Sequence, residues 1–340
     1  MNRARRVELQ VSIGGHEAGG YVSPCLLEFA YTDNATGKAD ELHLRLHDRD
    51  GKWSGEWKPA RGTEIRATLL LHDWQEAGTD ISLPCGAFNI DELELSGPPD
   101  IFDIKAVSAD LSGELRETGR SRAWESFTLR GVAAQIAREY MLKLFYSGED
   151  HAFRRRDQRG ESDLAFLNRL AADCGMNCKV HDGKLILYDA ADADAAEPGI
   201  VIRRRGDMYA PTSYRFRERS VKSSYTKVRA AYHDPAAGVT SSAEVQAGQS
   251  GKAEKTLSLD ERVESSAQAI RLGRARLRKA NKKSFTAELE MLGHPGIMAG
   301  ITVRLEGFGA HDGTYSVEKA EHRVSPAYTT SVTLSRTLEY

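Results

Sequence analysis

The chain has 340 residues, 40% hydrophobic and 28% charged, and its 47 Lys+Arg against 49 Asp+Glu give a formal net charge of −2. That length exceeds one average domain and predicts two or three, with enough apolar mass for separate cores. Near-neutrality excludes a protein that binds nucleic acid or acidic membranes with its whole surface, so any such role needs a local patch.

The first hundred residues read as β. In Glu41–His47, leucines at 42, 44 and 46 alternate with His43, Arg45 and His47, the period of a strand with one buried face. Asp50-Gly51 follows as a turn, and Pro59 and Gly62 punctuate before a second strand over Glu64–Leu71. A third, Phe88–Leu95, runs into Gly97-Pro98-Pro99. Short strands between turn residues predict a small barrel or sandwich over residues 1–96.

A middle α+β unit is predicted over residues 97–199. Trp124–Leu129 reads as a strand and Gly131–Leu144 as an amphipathic helix with Val132, Ile136 and Tyr140 near one face. In Gln158–Gly175, Ser162 suits a helix N-cap and Asp163 its first turn. Leu164, Leu167, Ala171 and Cys174 then recur at helical spacing, flanked by Phe166 and Leu170, before Gly175 closes the helix. Cys178–His181 and Lys184–Tyr188 flank Asp182-Gly183 as a hairpin, and the Ala/Asp-rich Asp189–Gly199 reads as a linker.

Residues 200–340 return to β. The small-residue run Asp234–Gly251 predicts a long mobile loop, and a helix follows over Glu264–Ala280. The last strands are Phe285–Met291, Ile301–Leu305, Tyr315–Val324 and Thr329–Thr337. The expected fold is mainly β with an α+β middle, its two β-rich ends able to share a fold without sharing sequence.

Few residues suggest chemistry. Cys25, Cys85, Cys174 and Cys178 are sparse, and no apolar stretch is long enough for a signal peptide or membrane span. Free thiols in a reducing cytoplasm are therefore expected. Cys174, Cys178 and His181 have the side chains of a zinc site. Three ligands fall short of a structural set, however, and Cys174 lies on an apolar helix face, which favours small buried thiols. His43, His47, His72 and Asp73 lie on or beside strands, without a nucleophile elbow, a zinc-protease helix or a phosphate loop, so no catalysis, cofactor or metal is expected. Trp53, Trp57, Trp74 and Trp124 read as core or intersubunit packing.

The sharpest electrostatic feature is the basic helix, where Arg271, Arg274, Arg278 and Lys282 share one face beside Ile270, Gly273, Leu277 and Ala280. This stripe suits a protein partner or DNA. It better suits a solvated helix whose cations meet nearby acids, and of the two partners a protein is preferred.

Four blocks carry a family resemblance. The strongest is Gln158–Gly175, with Gln, Glu-Ser-Asp, Phe-Leu-x-Arg-Leu and a closing Gly. Ala39-Asp40-Glu41-Leu42 with Asp48–Trp53 comes near the start, and Gly97–Asp100, Ser108-Ala109-Asp110 and Arg120–Glu125 in the middle. Near the end stand Gly293-His294-Pro295, Ala299-Gly300, Leu305–Gly309, Asp312–Tyr315 and His322. In these blocks the chain resembles, over nearly its whole length, the phage late control gene D proteins. These are the tail baseplate hubs of contractile-tailed phages, and the hub half of type VI secretion spike proteins is a more distant likeness.

The resemblance implies two similar β-barrel domains per chain, residues 1–96 and 200–340, around the α+β domain 97–199. It implies a homotrimeric ring whose six barrels adapt a six-fold tail tube to a three-fold central spike. Implied partners are the spike, the tube or its initiator and the tape measure protein, with DNA only in passage. Such a chain is made in the host bacterial cytoplasm and built into the tail baseplate of a virion or a headless tail particle. The rivals are a nucleic-acid-binding regulator acting through residues 264–283, and a cell-wall hydrolase.

Overall fold

The leucine alternation resolves into one-sided strands around three cores. The computed structural model describes residues 4–108, 113–219, 227–234, 239–246, 256–263, 266–282 and 284–337. The first unit contains β1 (Arg6–Ile13), β2 (His16–Glu17), α1 (Gly19–Val22), β3 (Leu26–Asn34), β4 (Glu41–His47), β5 (Glu64–His72), β6 (Asp80–Ser96) and β7 (Ile101–Ser108). Leu42, Leu44 and Leu46 are buried on one face of β4 and join Phe29, Tyr31, Ile65, Leu69 and Phe88 in a single core.

The middle unit holds α2 (Gly113–Glu117), β8 (Arg120–Thr128), α3 (Leu129–Glu139), β9 (Lys143–Ser147), β10 (Ala152–Glu161), α4 (Asp163–Asp173), β11 (Met176–His181), β12 (Lys184–Asp189) and α5 (Ala190–Ala195). Ser162 caps α4 by accepting the Ala165 N–H at 3.3 Å. Phe166, Leu167, Leu170 and Ala171 bury the helix against Leu129, Ile136 and the β11–β12 hairpin. That hairpin turns on Asp182 (φ 47°) and Gly183 (φ 71°), the paired left-handed residues of a tight two-residue turn. Two expectations need correction here. The helix predicted to Leu144 stops at Glu139 because Lys143–Ser147 pairs in parallel with β12, and pairing outweighs local helical preference. The predicted linker contains α5, capped by the Asp189 carboxylate, which accepts from Ala191 and Asp192 N–H at 2.6 and 3.2 Å.

The third unit comprises β13 (Ile200–Arg203), β14 (Ser213–Glu218), β15 (Lys227–Asp234), β16 (Val239–Gln246), β17 (Thr256–Val263), α6 (Ser266–Asn281), β18 (Phe285–Leu292), β19 (Thr302–Glu306), β20 (Gly313–Ser325) and β21 (Ala327–Arg336). Within the predicted mobile loop over Asp234–Gly251, residues 239–246 form strand β16. Its backbone is satisfied by β15, which outweighs the weak β propensity of its small residues; residues 235–238 and 247–251 lie outside the described set.

The two end units repeat one topology. Strand order β3-β4-β7-β6-β5-β1 in the first matches β14-β18-β21-β20-β19-β13 in the third, strand for strand in chain order. The match extends to single residues. Leu42 pairs with Ala106 and Leu44 with Ile104, as Ala287 pairs with Leu334 and Leu289 with Val332. The register shift between Ile90 and Glu92 in β6 recurs between Val317 and Lys319 in β20. Gly86 and Gly313 occupy equivalent positions, both with positive φ (100° and 142°). One connection differs: β1 runs antiparallel to β5, whereas β13 runs parallel to β19.

Neither unit closes on itself as the barrel expectation required, because the outer edge of β3 is taken by β20 and both units join one 13-stranded sheet. The boundary expected at residue 96 also moves, since β7 lies between β4 and β6 and carries the first unit to Ser108.

Candidate functional site

The join between the repeats brings together strands from both end units and the middle unit. Six antiparallel pairs, from Lys319–Asn34 to Val324–Phe29, make the β20–β3 seam. Beneath it His322 is fully buried, stacked on Tyr31 with ring centroids 6.0 Å apart. Its Nε2–H donates to the Ile297 carbonyl at 3.0 Å, and its Nδ1 accepts from the Tyr328 hydroxyl at 2.8 Å. Burial holds this imidazole well below its ordinary range, at about 4.

The middle unit grips the same seam. Asp33 at the end of β3 and Asp40 before β4, both almost fully buried, receive Lys179 and His181 from β11. Lys179 Nζ pairs with Asp33 and lies 3.3 Å from Asp40, whose second oxygen accepts the Asn34 N–H at 2.9 Å. Asp33 also accepts the Ala299 N–H at 2.7 Å. Burial pushes the Asp33 carboxyl up, and Lys179 opposes that rise.

The basic helix faces two ways. Arg278 approaches Asp194 at 3.5 Å and Lys282 meets Glu318 at 2.8 Å, so half of the predicted stripe turns inward to acids. Arg276, off the stripe, bonds Asp173 at 2.8 Å. Arg274 is exposed, and Arg271 is half-buried near His151 and Cys174. The buried face is Ala269, Leu272, Gly273 and Leu277, rotated from the predicted Ile270, Gly273, Leu277 and Ala280. Between α4, α6 and the β14-β18-β21 face lies an open groove of about 980 Å³.

The sequence-derived chemistry candidates are scattered. Cys174 and Cys178 are buried in the middle core, their thiols pushed up to about 12 by burial, while His181 bonds Asp40 at 2.8 Å. Among the described residues no group of His, Cys, Asp and Glu is placed to hold a metal. His43 bonds Asp103 at 2.6 Å, His47 bonds the Pro24 carbonyl at 3.1 Å, and His72 lies between Glu8 and Asp80. Trp53, Trp74 and Trp124 are buried and Trp57 packs edge-on against Trp53. Among the described residues no helix is long and apolar enough to cross a membrane.

Several motif residues are structural anchors. Asp48 accepts the Trp53 and Ser54 N–H groups at 2.8 and 3.0 Å. Asp163, fully buried, accepts from Gln158 at 2.7 Å and the Tyr140 hydroxyl at 2.9 Å. Arg122 approaches it at 3.3 Å.

The family model for the phage tail baseplate hub (GPD) matches residues 112–328. The chain belongs to this family. Two curated relatives of the hub, each named a probable baseplate hub protein, agree. That of Escherichia phage 186 is 37% identical over 50% of this chain and 42% of its own length; that of Escherichia phage P2 is 30% identical over 59% and 51%. The chain thus spans about half the length of the curated relatives it matches. The hub fold is also seen in the 43 kDa tail protein of prophage MuSo2 from Shewanella oneidensis, with a TM-score of 0.74 at 16% identity over 98% of this chain and 99% of that one. A tail protein of Neisseria meningitidis MC58 gives 0.71 at 13% identity, covering 97% and 96%. An Escherichia coli component of the type VI secretion system gives 0.57 at 11% identity, covering 99% and 77%.

Sequence reasoning missed Asp33 and Lys179, because 146 positions separate them and neither breaks the pattern of its own strand. Asp40 and His322 stood inside the family blocks, and an acid or imidazole at a position otherwise reading as core was the available signal.

Proposed function

We propose that this hub forms a trimeric ring that adapts a six-fold tail tube to a three-fold spike. The observation that carries the reading is the residue-by-residue repeat of the two sheets, which gives each chain two equivalent surfaces. Three copies then offer six equivalent positions to a tube and three to a spike, so an internal repeat resolves the symmetry mismatch. The partners in this reading are the spike, the tube or its initiator and the tape measure protein, with DNA only in passage and no reaction catalysed. The ring is made in the host cytoplasm and built into the tail baseplate. Arg274, with the half-buried Arg271, is the part of the predicted stripe left for a partner, since Arg278 and Lys282 are engaged within the chain.

Native mass spectrometry of the purified chain, alone and with its cognate spike, tests this. A trimer that takes up one spike trimer is expected. A strict monomer that ignores the spike would overturn the reading.

A further inference from the structure

Resting on the ring reading, we infer that copies join by strand addition: residues 92–96 of one chain pair with residues 215–219 of the next, in the register of the internal seam. The repeat supplies the template. In β20 the first half pairs with β19 while residues 319–324, past the bulge, present the same edge to β3. Its counterpart β6 pairs with β5 only through residues 80–89, leaving the matching edge past Asp91 without a strand among the described residues. The counterpart of β3 is β14, which ends the sheet and has no strand on its outer side among the described residues. Each chain therefore carries both halves of a second seam, one on the terminal strand β14 and the other on the stretch of β6 that runs past its pairing with β5.

The register follows from the ladders. Glu92, Leu93, Glu94, Leu95 and Ser96 pair with β7 as Lys319 to Arg323 pair with β21. Ser213 to Arg217 pair with β18 as Glu28 to Thr32 pair with β4, with Arg219 matching Asn34. Transferring the internal pairs sets Glu92 opposite Arg219, Glu94 opposite Arg217 and Leu95 opposite Phe216. Two cross-strand ion pairs and one apolar pair result.

Burial supports the same register. His322 and Phe29 are completely buried at the internal seam, whereas their counterparts Leu95 and Tyr214 are 55% and 44% exposed. These are two of only six large hydrophobic residues left exposed among the described residues, one on each open edge. Charge decides against the alternative of each edge pairing with itself. Asp91, Glu92 and Glu94 would face their own copies, as would Arg215, Arg217 and Arg219. A head-to-tail contact alone matches opposite signs, and such contacts make a ring where the rotation between copies closes. Lys105 already lies 3.8 Å from Glu94, and Arg217 lies 3.1 Å from Glu288, so setting Glu94 opposite Arg217 would complete an alternating row of charges across four strands.

The test uses the full chain at a concentration where the wild type is a ring. Reversing one edge, Glu92→Lys with Glu94→Lys, or the other, Arg217→Glu with Arg219→Glu, is expected to raise the half-dissociation concentration roughly tenfold or more. The circular dichroism spectrum should not change. All four substitutions in one chain should restore the ring. Independently, Leu95→Cys with Phe216→Cys places two thiols on paired residues whose Cα spacing of about 5 Å suits a disulfide, and copper-phenanthroline oxidation should give covalent multimers that neither single variant gives. A wild-type ring that the reversals leave intact and the cysteine pair fails to cross-link overturns the seam while keeping the ring. A wild type that stays monomeric even with its spike overturns both.

Discussion

His322 makes the internal seam sensitive to acid. The folded state holds the imidazole neutral, with its value moved by burial from 6.5 to about 4, so between those values the unfolded chain binds one proton more. Stability from this group is therefore present above 6.5 and is lost as pH falls towards 4. Fully expressed, the difference is roughly 3.4 kcal/mol at 1.36 kcal/mol per pH unit, of which about 2 kcal/mol falls between pH 7 and pH 5. His322→Gln does not titrate and can still reach the Ile297 carbonyl. Urea unfolding of both proteins at pH 7 and pH 5, followed by fluorescence of the first core with Trp53 and Trp74, isolates the effect. Contributions from His294 and other shared groups cancel in the comparison. Wild type should lose about 2 kcal/mol more than the variant over that interval. Equal losses would show that His322 does not carry the acid response.

Two further perturbations address the seam. Lys179→Met leaves Asp33 and Asp40 buried without their cation and should cost about 3–5 kcal/mol, with Asp33→Asn in the same chain recovering part of the loss in urea titrations. Gly293→Ala would put its Cβ 2.0 Å from the Tyr328 ring, which also packs against Trp74. Displacing that ring should cost about 1–3 kcal/mol, seen as a lower urea midpoint with Trp74 fluorescence altered in the folded state.

Much of the fold was legible because it rests on local rules. The Leu42-Leu44-Leu46 alternation gave β4 to the residue, and Ser162 with Gly175 bracketed α4 to within one or two positions. The misses came where pairing overrode propensity. Lys143–Ser147 continues a helical pattern but finds an open strand edge at β12, and Val239–Gln246 is bland sequence made regular by β15. The repeat was invisible for a different reason. Leu42 and Ala287 share a role without sharing a side chain, because a sheet register preserves direction and burial rather than identity. The basic helix was located correctly, yet which arginines face acids depends on Asp194 and Glu318, 84 and 36 positions from Arg278 and Lys282.

The contacts around the seam form a closed circuit. The first repeat holds the middle unit through Asp33 and Lys179, and the middle unit holds α6 through Asp173 and Arg276. Helix α6 in turn holds the second repeat through Lys282 and Glu318, which returns to the first through β20 and β3. A framework triangulated in this way resists torsion, since no member can swing without stretching another. The angle between the repeats is thereby set by the middle unit as much as by the sheet, and a load arriving on one repeat is shared by the whole chain instead of bending it at a hinge.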